Sequence, residues 1–400
     1  MENSVKFFQN QPVLLLSLAF LLLFFGYNGG QQYVTTYFSS LGVVDLGFYS
    51  LIIIYLFFTF SDPLAAVFVS KYGAKKSMII SSLFYTLYML SLLSKSTLLI
   101  YLGSALLGIA ASLLWTGQSV YLIRTSEAHV YGKNAGFFST LLAVGSGIGI
   151  LVFGLVLQII PFKDTFLIFS LFPTLAFFIL CLLQSQKTVD EQNKINGQTK
   201  TNHFQLLRKS ITSLTAWQLS SIWFVMSFVS GLIMGIIPLE IGKIFGLSYV
   251  GYFSSLYFIL PIFFSYFIGK ISDKYGRKIM IFCAYLLFTL GLLSFTQPGY
   301  FLILGIIFMA LNWTILKPTT TALIGDVSTG KNVEYLTGLF WMVSNIGVVT
   351  SLLLSKFLQI KVVYLYFISL GVVILCFFAA WPLWKKGTNH LKEKLAEEIK

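Results

Sequence analysis

Long runs of apolar residues alternate with short polar connections along almost the whole chain. Each run is long enough to cross a hydrocarbon core of roughly 30 Å as an α-helix, which takes about 20 residues. The pattern predicts an all-α integral membrane protein with twelve spans. They lie at about 12–36, 46–69, 77–94, 98–123, 135–160, 165–185, 215–240, 248–270, 279–296, 300–324, 335–357 and 362–384.

One polar segment interrupts this pattern near the middle of the chain. Residues 186–213 are rich in Gln, Asn, Lys and Thr, which predicts a linker that carries a short helix at 204–209. The linker separates an N-terminal six-helix half, residues 1–185, from a C-terminal six-helix half, residues 214–385. Residues 386–400 form a charged tail, for which the sequence predicts another short helix.

Two signatures recur about 200 residues apart and indicate an internal duplication. The first is a loop between two spans, Gly269-Lys-Ile-Ser-Asp273-Lys274-Tyr-Gly276-Arg277-Lys278. A copy that matches it only in part lies at Ala66-Val-Phe-Val-Ser70-Lys71-Tyr72-Gly73-Ala74-Lys75. The second is Trp-Thr followed after 15 residues by Gly-Lys-Asn, beginning at Trp115 and again at Trp313. Two markers at nearly the same offset predict two pseudo-symmetric halves.

Composition and charge agree with a membrane protein. A mean hydropathy of +0.84 and a charged fraction of 10% exclude a water-soluble globule. The net charge of +13 does not indicate a nucleic-acid partner, because the basic residues are unevenly distributed. With the amino terminus inside, most of them lie in cytoplasmic segments, which predicts a multi-pass cell-membrane protein with both termini cytoplasmic and a basic face toward anionic lipid. Lys317 lies inside a span, and the predicted external loops hold only Lys95, Lys163, Lys243, Lys356 and Lys361.

The sequence contains no recognisable catalytic or metal-binding set. No Walker A loop is present, which argues against ATP-driven pumping. We therefore expect no enzymatic activity, no metal and no cofactor. The cysteines stand alone in separate spans and the histidines lie in predicted cytoplasmic segments without metal-ligand spacing: Cys181, Cys283, Cys376, His129, His203 and His390.

Polar side chains inside spans are the candidates for a substrate site, because they are costly in hydrocarbon and must face a cavity or a partner helix. The most unusual run is Tyr27-Asn28-Gly29-Gly30-Gln31-Gln32, whose glycines permit a local break in the helix. For any single residue, ordinary packing between helices is the alternative. The remaining candidates lie in spans four and ten: Trp115, Gln118, Tyr121, Asn312 and Trp313.

Two charged side chains also lie inside spans. Asp62, followed by Pro63, is about eight residues from the cytoplasmic end of span two, so roughly 12 Å deep at about 1.5 Å per residue. We expect it to couple transport to protons, with a packed structural acid as the alternative. Lys317, followed by Pro318, lies at a similar depth and suits an anionic substrate group or a counter-charge for Asp62. A local partner, or snorkelling toward the cytoplasm, is the competing explanation.

The intact loop at 269–278 resembles the signature loop of the major facilitator superfamily. Within it, the first half resembles the uncoordinated-ninety-three-like branch over about 25–125, through Gln31-Gln32, Gly73–Met78, Phe84–Tyr88 and Leu107–Tyr121. The resemblance implies a fold in which the first and fourth helices of each half line a central cavity. It also implies a gating loop at each half, formed by Lys71, Gly73, Lys75, Gly269, Asp273, Lys274, Gly276, Arg277 and Lys278.

One residue departs from the superfamily pattern. Ser70 stands where the loop usually carries Asp, so we expect Asp273 to do more of the gating. We interpret the protein as a monomeric secondary active or facilitative transporter of a small solute, working by alternating access and driven by protons or by the solute gradient. The alternative, which the resembled branch includes, is a non-transporting regulator or trafficking partner of another membrane protein. Sparse intramembrane charge favours that alternative, and the minimal loops argue against it.

Overall fold

A computed structural model describes residues 2–94, 96–188, 191, 202–234, 236–245, 248–297, 299–357 and 362–399, and most of these residues are helical. A short 3-10 helix, Ala128–Val130, precedes α6. The α-helices are α1 (Glu2–Gln32), α2 (Val34–Ser40), α3 (Val44–Tyr72), α4 (Ala74–Ser91), α5 (Thr97–Arg124), α6 (Tyr131–Val156), α7 (Phe162–Cys181), α8 (His203–Thr212), α9 (Leu214–Met234), α10 (Ile236–Phe245), α11 (Ser248–Tyr275), α12 (Arg277–Phe295), α13 (Phe301–Val327), α14 (Val333–Phe357), α15 (Val362–Ala379) and α16 (Trp381–Glu398).

Ten of the described helices are long and apolar enough to cross a membrane: α1, α3, α5, α6, α7, α9, α11, α12, α13 and α14. Helices also occupy the predicted third and twelfth spans. However, α4 is not one of the ten, and α15 has a shorter apolar stretch, Val363–Ala379. The protein is therefore an all-helical, multi-pass membrane protein, whereas the count of twelve spans stays a prediction.

The first span is interrupted after its glycines and not at them. Helix α1 continues through Gly29 and Gly30, and the interruption falls at Tyr33. A Cβ added at Gly29 would lie 2.9 Å from the main-chain oxygen of Gly149 and 3.1 Å from the Phe169 ring. These glycines therefore do not break the helix, and instead allow α1 to approach α6 and α7 closely.

Two groups of helices meet along a seam. In the N-terminal group, α1 packs on α6 and α7, and α5 packs on α3 and α4; in the C-terminal group, α9 packs on α14, and α12 packs on α13 and α15. Between the groups, α6 packs on α11 and α3 packs on α14. The short helix predicted in the linker is present as α8, which lies against α3 and α14 at one end of the bundle. We call this the linker end; α3 and α5 finish there, at Tyr72 and Arg124.

Residues 189–190 and 192–201 of the predicted linker lie outside the described residues. The predicted tail helix is present as α16, but it begins at Trp381, so the proposed boundary between 385 and 386 falls inside a helix.

Helix α6 packs against both helix groups through glycines on two of its faces. Gly145 and Gly149 face α1, whereas Gly132 and Gly136 face α11 of the other group. A Cβ at any of these four positions would collide with the main chain of the facing helix. The glycines therefore let α6 contact both groups at backbone distance.

Candidate functional site

Lys317 lies between two indole rings where the two helix groups meet. Its Nζ is 4.2 Å from the ring centroid of Trp115 on α5 and 4.4 Å from that of Trp341 on α14. Both distances are within the range of about 6 Å over which a ring face attracts a cation. The side chain, on α13, is only 4% exposed. This indole cage (Trp115, Trp341 and Lys317) joins the N-terminal group to the C-terminal group.

Trp341 was not among the sequence candidates, although it makes several contacts at the seam. Its indole Nε1 donates a hydrogen bond to the Ser119 hydroxyl on α5, at 3.2 Å. Its ring also stacks on Phe58 of α3, with centroids 6.5 Å apart. The sequence signal was a polar face on span eleven, with Ser344 and Asn345 within one helical turn of Trp341.

Asp62 is fully buried where α3 meets α14. Its Oδ2 accepts a hydrogen bond from Asn345 Nδ2 at 2.9 Å, while Oδ1 has no hydrogen-bond partner among the described residues. Asn345 follows Trp341 by one helical turn, so α14 contacts both Asp62 and the cage around Lys317. In this conformation the ion pairs of the described residues do not include one between Asp62 and Lys317. A counter-charge role for Lys317 therefore stays a prediction.

The polar run of span one divides between the N-terminal group and the seam. Tyr27 packs its ring against Tyr85, with centroids 4.8 Å apart, inside the N-terminal group. Asn28 donates a hydrogen bond to the Ser146 hydroxyl on α6 at 2.8 Å. Gln31 lies near the Tyr55 hydroxyl, and Gln32 is half-buried at the end of α1.

Tyr55 extends the contacts of Gln31 across the seam. Its hydroxyl lies 3.7 Å from the sulfur of Met234, at the end of α9 in the other group. Of the run, Gln31 is thus linked to the interface between the groups through Tyr55, whereas Tyr27 and Asn28 contact their own group.

Some of the candidates on α5 and α13 also lie at the seam, and the others pack inside their own group. Gln118 is 1% exposed and accepts a hydrogen bond from Ser119 at 3.3 Å, while its Nε2 has no partner among the described residues. Tyr121, one turn nearer the linker end, is fully buried. Asn312 donates to the main-chain oxygen of Ala284 at 2.7 Å and so holds α13 on α12.

Trp313 lies on the other face of α13. Its ring centroid is 5.6 Å from that of Tyr257 on α11. The structure therefore brings Trp115 and Lys317 together at the seam, with Gln118 close by on α5, and directs Asn312 and Trp313 against helices of their own group.

Asp273, on α11 of the C-terminal group, links the two helix groups at the linker end. Its two carboxylate oxygens accept hydrogen bonds from the main-chain amides of Gly132, at 2.8 Å, and Lys133, at 2.7 Å. These amides belong to the first turn of α6, where unpaired N–H groups and the helix dipole favour an anion. Arg277 pairs with Asp273 at 2.8 Å and with Asp326 of α13 at 2.7 Å. The carboxylate thus binds α6 to α11 and α12.

Ser70, at the matching position in the N-terminal group, contacts other helices at the linker end through its uncharged hydroxyl. Its hydroxyl lies 3.0 Å from the Tyr335 hydroxyl on α14 and 3.2 Å from Nδ1 of His203 on α8. His203 Nδ1 also lies 2.8 Å from the Tyr335 hydroxyl. Three helices meet at this hydrogen-bonded cluster, which the sequence did not predict because His203 lies far from both partners in the chain.

An ion pair accompanies this cluster. Arg124, at the end of α5, pairs with the fully buried Glu334 of α14 and donates a hydrogen bond to the main-chain oxygen of Lys187 at 3.1 Å.

The other residues of the two loops occupy matching positions. Gly73 and Gly276 join consecutive helices with φ of 91° and 89°, a left-handed conformation that favours glycine. Lys71 and Lys274 are exposed, and each ammonium lies 5.2 Å from the ring centroid of the next tyrosine. The remaining loop residues are the half-buried Lys75, the exposed Lys278 and the buried Gly269, whose main chain contacts Gly132.

Comparison with known proteins places these features in a family. The family described as "Ion channel regulatory protein UNC-93" matches residues 44–246, about half of the chain, and the Major Facilitator Superfamily matches residues 219–400. The UNC93-like protein MFSD11 of Xenopus tropicalis is 33% identical over 133 residues, covering 32% of this chain and 30% of that protein. UNC93-like protein 3 of Arabidopsis thaliana is 33% identical over 119 residues, covering 30% of this chain and 25% of that protein.

Other similarities extend over much more of the chain. Multidrug resistance protein 2 of Bacillus subtilis is 22% identical over 82% of this chain and 84% of its own length. The proton:xylose symporter XylE superimposes with a TM-score of 0.76 at 13% identity, covering 96% of both chains. The human organic anion transporter MFSD10 superimposes with a TM-score of 0.69 at 11% identity, covering 93% of this chain and 99% of that one. The chain therefore has the major facilitator fold and belongs to the UNC-93-like branch of the major facilitator superfamily.

Proposed function

We propose that this protein is a monomeric secondary transporter that moves a small solute across the cell membrane by alternating access. The proposal takes residues 1–185 and 214–385 as two six-helix halves that rock about the seam. The observation that carries it is the distribution of contacts between the groups. Most of the described hydrogen bonds and ring contacts between the groups, from the indole cage through Asp62 to Asp273 and Ser70, lie in the half of the bundle near the linker end. Such a distribution is typical of one access state, closed at that end.

We propose further that the linker end faces the cytoplasm. The excess of Lys and Arg in the segments at this end supports that orientation. Both termini and residues 186–213 are then cytoplasmic, and the conformation is closed to the cytoplasm. A cysteine placed at Gly197 should resist a membrane-impermeant thiol reagent in intact cells and react after permeabilisation. Efficient labelling in intact cells would contradict the orientation.

The substrate site of this proposal lies at the seam. Trp115, Lys317, Gln118 and Gln31 contact or adjoin the interface between the groups, where a bound solute would respond to rocking. The proposed site also includes Tyr27, Asn28, Gln32, Tyr121, Asn312 and Trp313. For these residues the alternative is packing between helices, which the contacts of Tyr27 and Asn312 inside their own groups support. The named solutes of the two superimposed transporters, xylose and organic anions, are chemically unlike each other. The fold therefore does not choose a solute.

Asp62 is the proposed coupling residue. An ionised carboxylate there would be a buried charge without a cation in ion-pair distance among the described residues, which is costly. Taking up a proton removes that cost. Since Asn345 binds Asp62 across the seam, separating α3 from α14 would change the environment of the acid, as coupling of proton uptake to rocking requires.

A ligand screen followed by exchange measurements tests the transport function. A solute that binds the folded protein raises its melting temperature, since binding adds about 2.7 kcal/mol of stability at a concentration of 100 times Kd. Each stabilising solute is then tested for counterflow into proteoliposomes, with protein-free liposomes as the control. We expect at least one to exchange. Stabilising solutes that bind but do not exchange would contradict transport.

One observation favours a second function. The family that matches residues 44–246 is described as an ion channel regulatory protein. In that case the protein would bind another membrane protein and exchange no solute. Asp62→Asn and Lys317→Gln would then leave the regulated activity of that partner unchanged, whereas a transporter whose solute carries the effect would lose it in both variants.

A further inference from the structure

We infer that the solute is an amphiphilic organic anion, whose acidic group binds the Lys317 ammonium and whose apolar body lies against the indoles of Trp115 and Trp341. This inference rests on the proposed transport function and names its substrate class.

The two most buried basic side chains of the described residues differ in whether a carboxylate pairs with them. In the described part of the chain, Arg277 and Lys317 are the most buried basic side chains, at 6% and 4% exposure. Arg277 is paired with the carboxylates of Asp273 and Asp326. For Lys317 the recorded contacts of the ammonium are the two indole faces, and no carboxylate of the described residues forms an ion pair with it. Aromatic faces contribute about 0.5–2 kcal/mol to a cation, less than a buried charge needs. An anionic ligand would supply the missing partner.

The Lys317 ammonium lies at the seam between the two helix groups. The cage takes Trp115 from the N-terminal group and Lys317 with Trp341 from the C-terminal group. If the linker end opens, the groups separate, and Lys317 loses the Trp115 ring while Trp341 loses its hydrogen bond to Ser119. A ligand bound to Lys317 is therefore held differently in the two access states. Such differential binding is what allows a solute to shift the equilibrium between them.

The other groups around the cage suit an acid that carries an apolar body. Gln118, three residues after Trp115 on α5, has a buried amide nitrogen without a partner among the described residues. Together with the ammonium it offers hydrogen-bond donors, which suit an acidic group. Two phenylalanines enlarge the apolar surface of the indoles. The ring centroid of Phe24 lies 5.1 Å from that of Trp115, and the Phe58 ring stacks on Trp341. An aromatic or aliphatic body attached to an acid matches this combination.

The test uses matched pairs of acids and neutral analogues on one aromatic body. The acids are naphthoate, naphthalenesulfonate and naphthyl phosphate, and their neutral partners are naphthamide, naphthalenesulfonamide and naphthol. Affinities are measured on the purified full-length protein by thermal shift and by quenching of tryptophan fluorescence. The variants are Lys317→Gln, which removes the charge, and Lys317→Arg, which restores it. The control is Lys270→Gln, because Lys270 is exposed and also lies over an aromatic ring, that of Tyr266 at 4.7 Å.

We expect at least one acid to bind more tightly than its neutral partner. Lys317→Gln should weaken that acid by about 10-fold or more while leaving the neutral partner unchanged, since a charge-assisted contact is lost. Lys317→Arg should recover most of the affinity, and Lys270→Gln should match the unmodified protein. The preferred acid then identifies carboxylate, sulfonate or phosphate as the group. If no acid exceeds its neutral partner, or if Lys317→Gln binds the acid normally, the inference is wrong.

Two further readouts separate possible failures. In the absence of ligand, Lys317→Gln should keep or raise the melting temperature, because an unpaired buried charge is removed. A lowered melting temperature with unchanged affinity would make Lys317 a structural residue. Counterflow of the bound acid in proteoliposomes tests transport separately. Lys317-dependent binding without exchange would support the anion site and contradict the transport function. Exchange of a neutral solute without binding of any acid would support the transport function and contradict the anion site.

Discussion

Asp273 and Gly132 join the two helix groups at the linker end, where the carboxylate Oδ1 accepts a hydrogen bond from the main-chain amide at 2.8 Å. Oδ2 makes the corresponding bond to Lys133. At the matching place in the first half, Ser70 makes only hydroxyl and imidazole contacts. The two loops therefore make different contacts at the same end, a charged one at Asp273 and an uncharged hydroxyl contact at Ser70, beside which the ion pair of Arg124 and Glu334 lies.

This asymmetry predicts unequal effects of two loop variants. Asp273→Asn loses one of two acceptors and the charge that faces Arg277, and hydrogen bonds to charged groups contribute about 1.5–3 kcal/mol. We expect the population open at the linker end to grow by about 10-fold. Ser70→Ala should change it less. Double electron–electron resonance between spin labels at the exposed positions Ala128 and Gly330 measures the distance across this end. Equal, negligible changes in both variants would contradict the prediction.

The backbone contact between α6 and α11 predicts a second effect at the same place. Gly269→Ala adds a methyl group that collides with the main-chain carbonyl of Gly132, so α6 and α11 must separate. We expect the same labels to report a longer distance. Gly371→Ala is the matched control, because a Cβ at Gly371, within α15, meets no atom within 4 Å. Similar distance distributions in both variants would show that the seam tolerates the methyl group.

His203 predicts a role for the linker helix. In His203→Ala, α8 loses its hydrogen bonds to Ser70 and Tyr335, while those two hydroxyls still contact each other. We expect amide hydrogen exchange over 203–212 to accelerate by about 10-fold or more, since local opening no longer breaks these bonds. Phe204→Ala is the control, because Phe204 is 65% exposed. Unchanged protection in His203→Ala would mean that apolar packing alone holds α8.

Asp62→Asn tests coupling. The amide can still accept a hydrogen bond from Asn345, so folding should be preserved, but it cannot bind and release a proton. We expect gradient-driven accumulation of a transported solute to be lost, while exchange without a gradient continues. Thr59→Val is a control one turn away, because the Thr59 hydroxyl bonds only to the main chain of its own helix among the described residues. Transport by Asp62→Asn at the normal rate and with the normal pH dependence would make Asp62 a structural acid.

Glu398 predicts a pH dependence of stability outside the spans. Burial by itself raises the pKa of this carboxyl, but hydrogen bonds from Ser213 and Thr215, with help from Lys394, outweigh burial and lower the pKa below its usual value. The stabilisation is therefore present above the unfolded pKa of about 4.3 and is lost as pH falls through the folded pKa. The melting temperature should fall in Glu398→Gln at about pH 7, and this difference should vanish by about pH 3.

The neighbouring residue provides the control for that measurement. Glu397 is exposed, so Glu397→Gln should leave the melting temperature close to that of the unmodified protein across the range. A difference for Glu398→Gln that persists in acid would show that the side chain acts through packing.

The sequence by itself determined the class of protein, because a membrane span is a local property. A run of about 20 apolar residues must form a helix in hydrocarbon, where each main-chain group needs a partner within its own segment. The role of the two loop glycines is also a local property, since Gly73 and Gly276 supply the positive φ that each loop requires at that position. Family membership also followed from local motifs.

Only the tertiary structure decided which polar residues meet. Asn312 and Lys317 look alike in the sequence, as polar residues in one apolar span, yet Asn312 holds α13 on α12 while Lys317 lies at the seam. His203 gave no sequence signal and Trp341 gave only the polar face of its own helix, because their partners are more than 100 residues away. Apolar patterning records that a side chain avoids lipid, and it does not record whether a helix of the same group or of the other group covers it. That choice depends on how the helices pack.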